Sequence, residues 1–165
     1  MQGFLYEKAI SYLVQYWPEE RQKKPALFHS TRVGAFLWYL GYDEYVQIAG
    51  LLHDSLEDTN ISEQLIKDEF GEEVLFIVKA NTKNKNLKKE DILEDMVYRC
   101  YLCGKNALVV KSVNVYDNFI FYKKQNNIKE LERCKFLSEL ILDYKSTLED
   151  NRIISLLEEI IKNKI

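Results

Sequence analysis

The chain has 165 residues, enough for one domain with a substantial buried core. A hydrophobic content of 47% with 13% aromatic residues argues against disorder, and a net charge of −3 gives no support for attraction to nucleic acid or to a membrane surface. No apolar run reaches the length of a membrane span, the first residues lack the zones of a signal peptide, and three cysteines suggest reduced thiols, so a cytoplasmic protein is expected.

Glycine totals 6 and proline 2, and apolar residues recur at helical spacing without strand alternation, so the expected fold is all-α. A first helix runs from Phe4 to Tyr16 and stops before Pro18. Glu19 to Lys24 is a charged loop. A second helix runs from about His29 to Leu40, with Gly41 as its C-cap. Asp43 is placed to cap a third, which carries Ile48-Ala49-Gly50-Leu51-Leu52 straight into His53-Asp54-Ser55-Leu56-Glu57-Asp58 and closes at Thr59-Asn60. Ile61 to Phe70 is a short helix ended by Gly71, and Glu72 to Ala80 follows as another. Asn81 to Asn86 is a polar loop. Asp91 to Leu102 reads as helix and Gly104 breaks it. Ala107 to Tyr122 is a long apolar-rich helix, although its Leu108-Val109-Val110 also suits a strand. Ile128 to Leu148 and Arg152 to Ile161 are two closing amphipathic helices. No repeat, linker or low-complexity tract interrupts the chain, and a single domain over 1–165 is expected.

On one continuous helix His53, Asp54, Glu57 and Asp58 fall within roughly 140° of the circumference. Behind an apolar run such a face lines a cleft. Three carboxylates this close repel one another unless protons or a cation neutralise them. A divalent metal is the economical answer, and imidazole with carboxylate suits Mn, Fe, Co or Zn better than Ca. The alternative is a solvated acidic helix end. His29 is the other of only two histidines. The short Gly41-Tyr42-Asp43 turn between antiparallel helices can bring it to the same end as His53. A further ligand should come from a distant helix. There Lys111, Asn114 and Asn118 share a face about 60° wide. Polar groups in an apolar helix ask for a reason, either a site or a surface stripe.

Other constellations are weaker. Cys100 and Cys103 have half of a zinc spacing without the other half, Cys134 being distant, and buried or half-buried free thiols suit them better. Lys83 to Lys89 is a basic stretch that reads as a solvated loop. Tyr98, Tyr101, Tyr116 and Tyr122 read as core or rim rather than as stacking platforms.

Taken together, His29-x-x-Arg32-Val33, His53-Asp54-x-x-Glu57-Asp58-Thr59 and Lys111-x-x-Asn114-x-x-x-Asn118 resemble the HD phosphohydrolase superfamily. More narrowly they resemble the hydrolase domain of RelA/SpoT-type guanosine 3′,5′-bis(diphosphate) hydrolases, small stand-alone forms included. The resemblance runs from about residue 5 to about residue 125 and takes in Gly71-Glu72-Glu73-Val74 and Asn81-Thr82-Lys83. It implies an HD-type helical bundle of about eight to nine helices and a divalent ion, commonly Mn. It implies His29, His53, Asp54 and Asn114 as ligands. It implies that Glu57 and Asp58 position and activate water, and that Lys111 and Asn118, with Arg32, contact the nucleotide. The chemistry is hydrolysis of the 3′-diphosphate with release of pyrophosphate. The chain departs from the family where Asn114 and Val115 stand in place of Asp and Arg, which should weaken metal binding. Of the Arg-Lys pair that precedes the first His, only Arg21, Lys23 and Lys24 are available as stand-ins. The same machinery acting on another phosphate ester, such as a nucleoside monophosphate, is one alternative. A catalytically weakened nucleotide-binding or interaction protein is the other. The expected partner is a small nucleotide, with no nucleic acid and no membrane; a homo-oligomer is compatible with the reading.

Overall fold

Pro25 sets where the functional part of the fold begins. Its φ of −71° suits the entry to a helix, and its carbonyl accepts the His29 amide at 3.0 Å. The second helix therefore opens at Ala26, three residues ahead of its apolar periodicity, and His29 lies inside it and is buried. The computed structural model describes residues 3–18 and 25–163; the expected charged loop, with Arg21, Lys23 and Lys24, lies outside them.

Among the described residues all regular structure is helical, and the chain divides into two compact units, Met1–Lys83 and Asn84–Ile165. The first holds α1 (Phe4–Gln15), α2 (Ala26–Tyr39), α3 (Glu44–Leu52), α4 (Ser55–Asp58), α5 (Glu63–Phe70) and α6 (Glu72–Asn81). The second holds α7 (Ile92–Cys103), α8 (Lys105–Lys124), α9 (Ile128–Leu142), α10 (Lys145–Leu148) and α11 (Asn151–Lys162). Nine of these have eight residues or more, while α4 and α10 are single turns of four. None of the described helices is long and apolar enough to cross a membrane.

In the first unit α2 and α3 form an antiparallel pair, turned by Gly41 at φ +79°. The pair is close because two small residues face the seam. A Cβ on Gly50 would collide with Leu37 Cδ1, and one on Gly34 would stand 2.5 Å from the Tyr6 hydroxyl and 3.1 Å from the Gln47 carbonyl. Val33, Leu37, Ile48, Leu51 and Leu52 are fully buried around this seam. Asp43 precedes α3 as expected but makes no side-chain capping bond; Ser62 does cap α5, accepting the Leu65 amide at 3.1 Å.

The expected helix through the His-Asp motif is in fact two. α3 stops at Leu52, His53 and Asp54 form a turn with Asp54 at φ −99°, ψ 0°, and α4 restarts at Ser55. The cause is local. A continuing helix would offer the Gly50 carbonyl to the Asp54 amide, four residues on. Here that carbonyl accepts from His53 Nδ1 at 2.7 Å. The one-face arrangement of four groups on a single helix is thereby replaced by a corner.

In the second unit α8 is buried nearly all round, from Ala107 through Val115, so it reads as a core helix. Leu108, Val109 and Val110 are helical, and Ser112 Oγ donates back to the Leu108 carbonyl at 2.7 Å. The expected helix from Ile128 to Leu148 is also broken, by a turn at Asp143-Tyr144 between α9 and α10. Asp150 then caps α11 by accepting the Arg152 amide at 2.9 Å.

Candidate metal centre

The buried ends of α2 and α3 bring both histidines to Asp54. His29 Nε2 lies 3.8 Å, and His53 Nε2 3.1 Å, from Asp54 Oδ2. The imidazoles meet edge to face, their centroids 5.1 Å apart and their planes at 79°. The candidate ligand atoms of the three residues all fall within 4.8 Å of one another. Ligands bonded to one first-row ion at about 2.1 Å stand at most about 4.2 Å apart, so sub-ångström adjustment closes the trio on an ion. His29 and His53 are buried, while Asp54 keeps 17% of its side chain exposed.

The hydrogen bonding fits an ion as well as the spacing does. The Gly50 carbonyl can only accept, so His53 Nδ1 carries a proton, and in the neutral imidazole Nε2 then carries the lone pair. That Nε2 is buried and has no hydrogen bond. An imidazole fixed through one nitrogen by a backbone carbonyl, with the other presented to a carboxylate-lined corner, is how proteins hold a ligating histidine. The trio can thus hold a divalent metal.

The groups expected to act on water lie on the next turn. The amides of Glu57 and Asp58 both donate to the Asp54 carbonyl at 3.0 Å, so α4 hangs from a candidate ligand residue. Glu57 is held from a distance: Oε1 accepts the Lys83 amide at 2.8 Å and Oε2 accepts Lys83 Nζ at 2.7 Å. Lys83 thus lies in the exposed loop expected from the sequence, with both its amide and its ammonium engaged by Glu57. The sequence carried no signal for this pairing across 26 residues. Asp58 is half-buried. Arg32, one turn beyond His29, has its guanidinium carbon 4.4 Å from the ring centroid of Phe28.

The second unit carries the other expected residues. Lys111, Asn114 and Asn118 are all buried, so they are not a surface stripe. Asn118 Nδ2 donates to Asn114 Oδ1 at 2.6 Å, which fixes the direction of that amide oxygen. Lys111 Nζ lies 3.1 Å from Met96 Sδ. Of the cysteines, Cys100 and Cys134 are buried, Cys103 is exposed, and all are free thiols.

The family profile described as "HD domain" matches residues 9–99. A guanosine-3′,5′-bis(diphosphate) 3′-pyrophosphohydrolase of Xenopus tropicalis is 30% identical over 118 residues, covering 70% of this chain and 61% of that protein. One of the same name from Borreliella burgdorferi is 37% identical over 78 residues, which cover 47% of this chain and 12% of that protein. Among solved structures, one reported as a metazoan ortholog of SpoT that hydrolyses ppGpp superposes with a TM-score of 0.80 over 98% of this chain and 96% of that one, at 21% identity.

Proposed function

The chain belongs to the HD-domain family, and on that premise we propose that it is a metal-dependent phosphohydrolase removing the 3′-diphosphate of guanosine 3′,5′-bis(diphosphate) or a close analogue. The observation that carries this is the buried His29–His53–Asp54 corner, with His53 Nε2 set as an acceptor by the Nδ1 bond to Gly50. The names of the relatives from Xenopus tropicalis and Borreliella burgdorferi support the substrate. The family match also runs across the division at Lys83, which supports reading 1–165 as one functional domain.

We propose Asn114 as a further ligand and manganese as the ion, with iron, cobalt and zinc as the other candidates for a nitrogen-and-oxygen donor set. When bound, the ion supplies Lewis acidity and makes water easier to ionise. Glu57 and Asp58, tied to Asp54 through its carbonyl, orient that water and take its proton. Arg32, Lys111 and Asn118 bind the nucleotide. Three free thiols support a cytoplasmic location.

The test is to strip metal from the protein, restore manganese and follow product from a substrate panel. Manganese-dependent pyrophosphate release from guanosine 3′,5′-bis(diphosphate) supports the proposal. Phosphate release from nucleoside monophosphates alone moves the same site to another ester. The neutral amide at Asn114 favours a second reading, a weakened enzyme that binds nucleotide without turnover. Nucleotide binding with no hydrolysis at saturating manganese would select it.

A further inference from the structure

We propose that Lys83 is a positioning residue for this reaction: it clamps Glu57 from both sides and thereby fixes the turn that carries the water-activating carboxylates. This rests on the functional reading above. Three observations carry it. Both oxygens of Glu57 accept from the one residue, Oε1 from the backbone amide at 2.8 Å and Oε2 from the ammonium at 2.7 Å. The Glu57 side chain is only 10% exposed, while the lysine stem reaches it from outside at 46%. The far end of the clamp is itself anchored. Thr82, next to Lys83, bonds back to α6 through Oγ1 to the Val78 carbonyl at 2.9 Å and through its amide to the Lys79 carbonyl at 3.2 Å.

The need for a clamp follows from the local fold. α4 is a single turn of four residues, shorter than any helix that holds itself together in water. Its near end is tied to Asp54 by two amide bonds and its far end to Ser55 and Ile61 by Thr59 Oγ1. A carboxylate offers about four acceptor sites. With two occupied by Lys83, Glu57 keeps one lone pair on each oxygen in a fixed direction, which suits it to hold a water at a set angle. Removing the ammonium would leave the Glu57 carboxylate, largely excluded from solvent, without its counter-charge, which costs more than breaking a fully exposed pair.

Lys83→Met removes the ammonium and keeps the backbone bond; Lys83→Arg keeps the charge. The structure predicts that Lys83→Met lowers kcat about 10- to 100-fold, the scale on which misplacement acts. KM and the manganese concentration for half-maximal thermal stabilisation stay within about twofold, and Lys83→Arg restores part of kcat. A rise in KM with kcat intact would make Lys83 a substrate contact instead, and wild-type kinetics in Lys83→Met would show an idle surface pair; either overturns the clamp. A readout independent of turnover is the double-mutant cycle of Glu57→Gln with Lys83→Met in thermal melts. Additive melting shifts would overturn the clamp even if the protein hydrolyses nothing. Coupled shifts without hydrolysis of any substrate would instead sink the functional reading and leave the clamp standing.

Discussion

Side by side in sequence, His53 and Asp54 meet again at their tips, with Nε2 of the one 3.1 Å from Oδ2 of the other. Adjacent residues on a regular helix point about 100° apart. They converge here because α3 stops at Leu52, the two form the turn before α4, and His53 directs its Nδ1 back onto Gly50. The bond that sets the imidazole lies at the turn itself, so the corner and the orientation of its histidine share one place in the chain.

Replacing His53 by Gln should therefore abolish metal-linked stability. A ligand present at about 100 times its dissociation constant stabilises the native state by about 2.7 kcal/mol. For a chain of this size that is a rise of about 5–10 °C in Tm. The wild type should show it on addition of manganese to the stripped protein, and His53→Gln should not. An equal manganese response in the variant would remove His53 from the ligand set.

The α2–α3 seam makes a second prediction. Gly50→Ala gains about 1 kcal/mol of helix propensity. Against that, the new Cβ collides with Leu37 Cδ1, and Leu37 is fully buried, so any shift of it repacks the seam. Overpacking of this kind costs about 1–3 kcal/mol. A net loss of about 1 kcal/mol is expected, read as a lower denaturation midpoint, together with weaker manganese binding as the helices carrying His29 and His53 part. An unchanged or raised midpoint would show that the seam has slack.

The helical class, the pairing of α2 with α3 and the meeting of His29 with His53 and Asp54 were legible in the sequence. Each rests on a local signal: apolar periodicity, the Gly41 turn, and two histidines one helix apart. The break after Leu52 was not legible, because the apolar run leads straight into the His-Asp motif, and the bond from His53 Nδ1 to the Gly50 carbonyl alters no pattern in the sequence. The early start of α2 was hidden because Ala26 to Phe28 precede the first full apolar turn. The partner of Lys83 was not legible because its neighbours Asn84 to Lys89 are polar and basic, while Glu57 lies 26 positions away. Lys111, Asn114 and Asn118 left a surface stripe open, and only their burial removes it.

Cys100 makes a prediction about alkaline pH. Burial pushes its thiol from the usual 9 up to about 12, against the smaller opposing influence of Lys111 and Arg99. Between those values the unfolded chain has lost a proton that the folded chain retains. Stability due to this group is complete below pH 9 and falls as pH rises toward 12, by about 1.4 kcal/mol per pH unit. Comparison with Cys100→Ala isolates it from the tyrosines that titrate in the same range: the wild type should lose stability more steeply. At pH 8 iodoacetamide should modify the exposed Cys103 and spare Cys100 and Cys134 until the protein unfolds. Parallel stability curves for the two proteins would mean that the thiolate is tolerated inside.

Asn114 supplies the prediction that bears most directly on function. As a proposed ligand it offers an amide oxygen, whose direction is fixed by the 2.6 Å bond from Asn118 Nδ2. With two neutral imidazoles and Asp54 alone, the ligand set carries one negative charge against two on the ion. Restoring a carboxylate with Asn114→Asp balances that charge, so manganese should bind more tightly, by roughly tenfold or more for an added anionic donor at about 1.4 kcal/mol. Asn118 can still donate to the new oxygen, so the geometry is kept. The thermal response to manganese should then appear at correspondingly lower concentration in Asn114→Asp than in the wild type. If the protein is an enzyme, hydrolysis at limiting manganese should rise in the same variant, while at excess manganese the two should converge or reverse. Reversal is the informative case, because an ion that keeps more positive charge ionises water more readily. A manganese response that does not move on Asn114→Asp would take position 114 out of the ligand set, leaving His29, His53 and Asp54 as the donors that the first unit provides by itself.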